Sequence, residues 1–155
     1  MSISPSVVPD KLEEDDLYAW ANRQAALLRA RRIDELDFDR IAGKLDDLGS
    51  EIYDRLESAL TVLFMHMLKW DFQPERRSRS WEATIREQRR RIVRLLNENP
   101  SLKSKLDSAK EAAYGYGRDR ASGETDIAIE QFPELSPYDW HDIAERAFRI
   151  DTPLE

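Results

Sequence analysis

The sequence predicts an all-α fold, a single-domain helical bundle of five or six helices with no sheet. Apolar residues recur at three- and four-residue spacing along most of the chain, and capping residues or prolines separate these stretches. No segment shows the strict alternation of apolar and polar residues that indicates a β-strand. The 155 residues suffice to bury one core without disulfides or metal. We expect a flexible N-terminal arm over residues 1–11, a helical domain over 12–150 and a flexible C-terminus over 151–155.

Two helices are predicted after the proline-containing arm. The first begins near Asp10 or Leu12, where acidic residues favour the positive end of a helix. Its inward face carries Leu17, Trp20, Gln24, Leu27, Leu28 and Arg31. Asp37 is the predicted cap of the second helix, which Gly49 ends or bends. The residues predicted to be buried on this second helix are Phe38, Ile41, Leu45 and Leu48.

The third helix is predicted to be the centre of the bundle. Ser50 is its expected cap, and its apolar stripe is Ile52, Leu56, Ala59, Leu63, Met67 and Trp70. Toward its end the sequence LTVLFMHML is apolar on every side, which indicates a helix surrounded by others. The helix is expected to end at Gln73 and Pro74.

Three further helices are predicted in the second half of the chain. Ser80 is the expected cap of an arginine-rich helix, with Trp81, Ile85, Ile92, Leu95 and Leu96 facing inward. A turn at 99–101 precedes a helix whose inward residues are Leu102, Leu106, Ala109, Ala113 and Tyr116. An extended connector, ETDIAIEQFPEL, leads to a short helix, whose predicted cap and first turn are Ser136-Pro137 with Asp139. Its inward residues are Trp140, Ile143, Ala144 and Phe148.

Basic residues are concentrated in one part of an acidic chain. The net charge is −7, yet residues 61–94 carry nine basic and four acidic side chains. Each flanking segment holds six more acidic than basic side chains. Such an acidic balance does not favour nucleic acid as the partner, although it leaves a small anionic ligand open. The opposite charges also suit pairing within the bundle or between copies of the chain.

The arginine-rich helix offers a candidate anion-binding surface. Arg86, Arg90 and Arg94 recur every fourth residue, and the planar arginine fork binds phosphate or carboxylate through two hydrogen bonds. The alternative is structural, because Glu82 and Glu87 each precede an arginine by four residues, the favourable order for an ion pair within a helix. Of the two interpretations, the structural one is favoured.

His66 and two tryptophans flank the turn before this helix. A half-buried histidine can serve as an acid or base, but a histidine that hydrogen-bonds within the core is the favoured interpretation. Trp70 and Trp81 could stack on nucleobases, or could pack the turn onto the bundle beneath arginine side chains.

Other kinds of site find no support in the sequence. It has no cysteine, no HExxH pattern, no glycine-rich phosphate loop and no GxSxG motif. We therefore expect no metal and no cofactor. No apolar run approaches the ~20 residues that span a bilayer, so we expect a soluble, cytoplasmic protein without membrane contact.

The chain resembles a known family. The sequence HMLKWDFQPERRSRSWEATIREQRRRIVRLL, preceded by DLYAW and LGS and followed by PSL, FP and PY, is similar to the bacterial domain of unknown function 29 family over about Asp16 to Tyr138. The resemblance implies an all-helical fold and no particular reaction. Positions that match the family pattern are His66, Lys69, Trp70, Gln73, Pro74, Arg76, Ser80, Trp81, Thr84, Ile85, Gln88 and Arg89. The chain departs from the pattern at Ala42-Gly43-Lys44 and at Ser136, so the resemblance carries over no carboxylate near 43 and no thiol near 136.

The resulting candidate cluster, functional or structural, consists of His66, Lys69, Trp70, Gln73, Arg76, Trp81, Gln88 and Arg89. Three hypotheses about function follow. The first is a non-enzymatic interaction or assembly module, with a homo-oligomer or protein partner. The second is a module that binds RNA, a nucleotide or a phosphorylated metabolite on the surface from Arg76 to Arg94. The third is a hydrolase or nuclease that depends on His66, for which no complete catalytic set can be assembled.

Overall fold

The structure is a computed structural model that describes residues 16–150. Its five α-helices are α1 (Leu17–Arg29), α2 (Phe38–Phe72), α3 (Arg79–Glu98), α4 (Leu106–Thr125) and α5 (Trp140–Ala144). Single turns of 3₁₀-helix lie at Ile33–Glu35, Pro74–Arg76 and Ile129–Gln131, and a longer one at Pro100–Lys105. The described residues contain no strand, which confirms the all-α prediction. The expected arm over 1–11, the start of the first helix at 10–12 and the expected C-terminus over 151–155 lie outside the described residues.

The described residues form two compact units, which are divided between Leu48 and Gly49. In the first unit, Asp16 caps α1 by accepting a hydrogen bond from the backbone N–H of Ala19 at 3.1 Å. The buried residues of α1 are Trp20, Gln24 and Leu27. The Gln24 side chain accepts a hydrogen bond from the backbone N–H of Asp37 at 2.9 Å. The Arg40 guanidinium lies 4.5 Å from the ring centroid of Trp20, so polar and stacking contacts join α1 to the start of α2.

The helix α2 is continuous for 35 residues, so the predicted break at Gly49 is wrong. A glycine inside a helix costs about 1 kcal/mol, and no proline stands nearby to stop the helix. The two predicted helices are therefore one, and the described residues form five helices, which agrees with the predicted five or six. The prediction that the first part of α2 is buried is also wrong. Phe38, Leu45 and Leu48 are exposed, and only Ile41 of that set is half-buried.

The second half of α2 is the centre of the second unit, as predicted. Leu60, Leu63, Phe64, Met67 and Leu68 are fully buried on one face of the helix, and Thr61, Met65 and Lys69 are buried on the adjoining face. A helix buried in this way satisfies its backbone internally and buries apolar surface on more than one face.

The helix α4 packs against α2 with its backbone close to that of its neighbour. A Cβ atom built on Gly117 would lie 2.9 Å from the Cβ of Phe64 and 3.0 Å from the carbonyl oxygen of Thr61. Gly117 belongs to a buried row of small residues on α4, which are Ala109, Ala113, Gly117, Ala121 and Thr125. The inward row therefore passes through Gly117. Tyr116, which was predicted to face inward, is exposed, while Tyr114 is buried.

The caps of α3 and α5 lie two and three residues from the predicted positions. Ser78, not Ser80, caps α3, because Ser78 has extended backbone angles and its hydroxyl accepts a hydrogen bond from the Trp81 N–H at 3.2 Å. The predicted cap and first turn at Ser136-Pro137 with Asp139 lie too early, because Asp139 itself is the cap of α5 and forms a capping box with Asp142. The predicted connector begins later than expected, because α4 continues to Thr125.

The close approach at Gly117 can be tested by replacing it with alanine. We expect Gly117→Ala to lower the free energy of unfolding by about 1–3 kcal/mol, because the added methyl group meets backbone atoms of α2 that cannot move independently. Gly115→Ala is the matched control. A Cβ there meets nothing within 4 Å, so the better helix former should raise stability by up to about 1 kcal/mol. Urea unfolding measures both. Equal effects of the two substitutions would contradict the close contact.

Candidate functional site

The turn between α2 and α3 is closed by an arginine and an aromatic contact. Arg77 donates a hydrogen bond from Nε to the carbonyl oxygen of Trp70 at 2.9 Å, and its guanidinium lies 4.9 Å from the ring centroid of the same residue. The Trp70 ring meets Phe148 edge to face, with the centroids 5.5 Å apart. Trp70 therefore packs the turn onto the C-terminal segment. Arg76, next to Arg77, has an exposed side chain.

Lys69 connects three helices. Its ammonium group on α2 lies 2.5 Å from Oε2 of Glu124 on α4 and 4.7 Å from the ring centroid of Trp81 on α3. The Lys69 residue is only 8% exposed, so its charge is largely removed from water. A buried ammonium group is tolerated only with such partners, because an unpaired one would be strongly destabilising.

Gln73 satisfies the end of α4. Its side-chain amide donates a hydrogen bond to the carbonyl oxygen of Thr125 at 3.1 Å. Thr125 is the last residue of α4, and the last carbonyl groups of a helix have no partner within it. The Gln73 side chain therefore acts as a capping group supplied from another part of the chain.

Arg89 provides hydrogen bonds to the last carbonyl groups of α5. Its Nε and one terminal nitrogen donate hydrogen bonds to the carbonyl oxygens of Ile143 and Asp142, at 2.7 and 2.8 Å. Its guanidinium also lies 5.2 Å from the ring centroid of Phe148. Burial, and secondarily the charge of Arg146, lowers the pKa of Arg89 from its ordinary value. The arginine fork thus joins α3 to a helix too short to be stable alone.

A second polar cluster was not predicted from the sequence. Arg146 binds both carboxylate oxygens of Asp71, at 2.5 and 2.9 Å, and the Tyr138 hydroxyl donates a hydrogen bond to the same carboxylate at 2.8 Å. Burial raises the pKa of Tyr138 far above its ordinary value, and the negative charge of Asp71 adds to this effect. Tyr138 and Arg146 follow Asp71 by 67 and 75 positions in the sequence, so no local pattern could have indicated their contacts with it.

His66 is half-buried on α2. Its Nδ1 lies 2.9 Å from the carbonyl oxygen of Val62, so this nitrogen carries the hydrogen and donates it. Burial lowers the pKa of His66 below its usual 6.5. The Val62 carbonyl and the charge of Glu124 act in the opposite direction, and the charge of Lys69 lowers the pKa further. The neutral ring therefore leaves Nε2 as a hydrogen-bond acceptor.

The structure thus joins part of the candidate cluster, but not all of it. Lys69 and Trp81 are in direct contact, whereas Arg76 is exposed and Gln88 lines a groove between α2 and α3. Sequence reasoning alone missed the partners Glu124 and Thr125, which come from the end of α4.

The predicted anion-binding arginines lie on the exposed side of α3. Arg86 is 3.8 Å from Glu82, and Arg94 is 2.7 Å from Glu98, both as pairs within the helix. Arg90 forms no ion pair with any residue that the structure describes. Two of the three candidate arginines therefore already have a carboxylate partner, although both remain exposed.

No group of three potential metal ligands lies together within residues 16–150. In the same range, no helix is both long and apolar enough to cross a membrane. The fold and these contacts define a helical protein whose most distinctive sequence motif joins α2, α3, α4 and α5.

Comparison with known proteins agrees with this description. The family model described as "Domain of unknown function DUF29" matches residues 12–149, and the chain belongs to this family. The resemblance noted in the sequence is thereby confirmed. No curated protein and no solved structure matches the chain.

The structural role of Arg89 is open to a direct test. We expect Arg89→Ala to lower the free energy of unfolding by about 2–3 kcal/mol, because two carbonyl groups lose a charged donor. Arg90→Ala, one residue further along and exposed, should change it by less than about 0.5 kcal/mol. Thermal and urea unfolding report both values. If the two variants are equally stable, Arg89 does not hold α5 in the way the structure shows.

The pKa of His66 gives a pH dependence of stability with a definite sign. Because the folded-state pKa is lowered, the unfolded state binds more protons below pH 6.5. The stabilisation is therefore complete above pH 6.5 and is lost as the pH falls through the folded-state pKa. Replacing His66 with glutamine should flatten the stability curve in that window. NMR titration of the ring gives the pKa itself, and a value above 6.5 would contradict the structure.

Proposed function

We propose that this protein is a non-enzymatic helical assembly module that associates with a second copy through its first unit. The observation that carries the proposal is the distribution of exposed apolar side chains. Within residues 16–150, seven of the twelve large apolar residues that are exposed lie between Leu17 and Leu48, which is about a quarter of the described chain. Exposed apolar residues that cluster in this way are typical of interaction surfaces.

Four of the residues on α2 form a regular row. Phe38, Ile41, Leu45 and Leu48 follow one another at intervals of three, four and three residues, which is the spacing of a coiled-coil seam. Phe38, Leu45 and Leu48 are 60%, 63% and 53% exposed. We call this set the α2 apolar row. The contacts from α1 reach Asp37 and Arg40 instead, and Phe38, Leu45 and Leu48 stay exposed.

A second copy fits this row because the spacing is the same in both directions. In an antiparallel arrangement with two-fold symmetry, Phe38 meets Leu48 of the second copy, and Ile41 meets Leu45. A self-complementary patch of this kind is the basis of a two-fold symmetric dimer. Ala42, on the flank of the row, is small enough to let the two helices approach closely.

The small size of the row sets the expected strength. Four side chains cover well under the ~800 Å² per partner of a standard interface, so we expect weak, concentration-dependent association. The contacts of Lys69, Gln73 and Arg89 support the non-enzymatic part of the proposal, since each of these side chains joins helices. We further propose that the protein is soluble in the bacterial cytoplasm, which its lack of cysteine and its net charge of −7 support.

The proposal is tested by placing charges in the row. Sedimentation equilibrium over a wide concentration range should show dimers for the natural sequence and only monomers for Leu45→Glu with Leu48→Glu, because a buried carboxylate is strongly disfavoured at an interface. Val93→Glu is the matched control, since Val93 is 58% exposed on another helix. This control should still dimerise. A natural sequence that stays monomeric at several hundred micromolar would contradict the proposal.

A further inference from the structure

The α2–α3 groove is a second surface, separate from the α2 apolar row. It has a volume of about 660 Å³ and is bounded by one face of each helix. Its apolar residues are Ala59, Val62 and Leu95, and the charged or polar residues around them include Arg55 and Gln88. A volume of this size is in the range of small-molecule sites, and so is an apolar surface with a few polar groups.

Gln88 is the most informative residue of the groove. It is only 7% exposed, and its side chain makes no hydrogen bond with any described residue. Its amide atoms are nevertheless not sealed off, because Trp20 Nε1 is the one fully enclosed side-chain polar atom without a partner in residues 16–150. Because the residue lines the groove, we infer that the amide faces it. A buried amide with free donor and acceptor groups favours a ligand that satisfies both.

Arg55 is the available cation of the groove. Arg91 and Arg94 also line it, but each is bound to a glutamate on its own helix at 2.7 Å. Arg55 has no ion-pair partner among the described residues. Its guanidinium can therefore bind an anionic group through two parallel hydrogen bonds.

The two helices place the amide and the cation at a defined separation. They are antiparallel neighbours joined by a short turn, and Lys69 contacts Trp81 across them. Continuing that pairing places Gln88 level with Val62, and Leu95 level with Arg55. Val62 and Arg55 are seven residues apart, which is about 10 Å along a helix. A ligand that uses both ends must therefore carry a hydrogen-bonding group about 10 Å from its anionic group.

We propose that the α2–α3 groove binds a nucleoside monophosphate of the adenine type. The flat base lies on Ala59 and Val62, and its edge pairs with the Gln88 amide, which matches the adjacent donor and acceptor of adenine. The phosphate reaches Arg55. Glu98 at the same end is neutralised by Arg94, whereas Asp54 forms no ion pair with a described residue and disfavours additional negative charge, so the monophosphate should bind more tightly than the triphosphate.

Calorimetric titration with adenosine 5′-monophosphate, adenosine, ribose 5-phosphate and adenosine 5′-triphosphate tests this proposal. Arg55 is exposed, and the substitution Arg55→Gln should lower the affinity for the monophosphate about tenfold. The affinity for adenosine should not change, because only the phosphate contact is lost. Gln88→Met keeps the side-chain volume. It should lower the affinities for the monophosphate and for adenosine about tenfold, and leave the affinity for ribose 5-phosphate unchanged. Arg90→Gln is the matched control and should bind like the natural sequence.

Two results would overturn the nucleotide proposal. One is the absence of heat or thermal stabilisation with the monophosphate at millimolar concentration. The other is equal affinity for the natural sequence, Arg55→Gln and Gln88→Met. Unfolding curves without ligand verify that each variant is folded, and Arg55→Gln alone decides the question if Gln88→Met is unfolded. No residue of the α2 apolar row lines the groove. The variant with Leu45→Glu and Leu48→Glu should therefore bind the nucleotide normally. This result distinguishes the nucleotide proposal from the assembly proposal.

Discussion

The contact between α4 and α2 at Gly117 sets the geometry of the second unit. Because Gly117 has no side chain, the two backbones approach to a distance that even a methyl group would prevent. The row of small residues on α4 keeps this close approach along the helix and carries Thr125 and Glu124 to the end of α2. Gln73 and Lys69 can then reach them. The polar contacts of the family motif therefore depend on apolar packing one or two turns away.

The motif from His66 to Arg89 gains a physical explanation from these contacts. Lys69, Gln73 and Arg89 each provide a donor to an acceptor on α4 or α5, and the tryptophans supply aromatic surfaces beside the cations. Such contacts are specific in geometry, so they restrict which residue types fit at these positions. Gln88 is different from these residues. Its unpartnered amide connects the motif to the α2–α3 groove, where we propose that a nucleotide binds.

The sequence predicted much of the fold because most of its helices have strong local signals. The apolar run before Trp70 is an example in which periodicity was sufficient. The predicted break at Gly49 is wrong because the free-energy cost of one glycine in a helix is smaller than the stabilisation that a continuous helix gains. The prediction that Tyr116 faces inward is wrong because spacing alone could not show that the buried row of α4 consists of small residues and passes through Gly117. The partners of Asp71 lie 67 and 75 residues away, so only the folded structure brings them together.

Native-state hydrogen exchange tests most directly whether the α2–α4 contact organises the second unit. Amides of α2 from Thr61 to Lys69, and of α4 around Gly117, should exchange slowest and with the same free energy of opening, which equals that of global unfolding. The first turns of α2, which carry the exposed apolar row, should have amides that exchange faster. If the amides of α4 open well before those of α2, α4 is only loosely attached, and the contact at Gly117 does not organise the second unit.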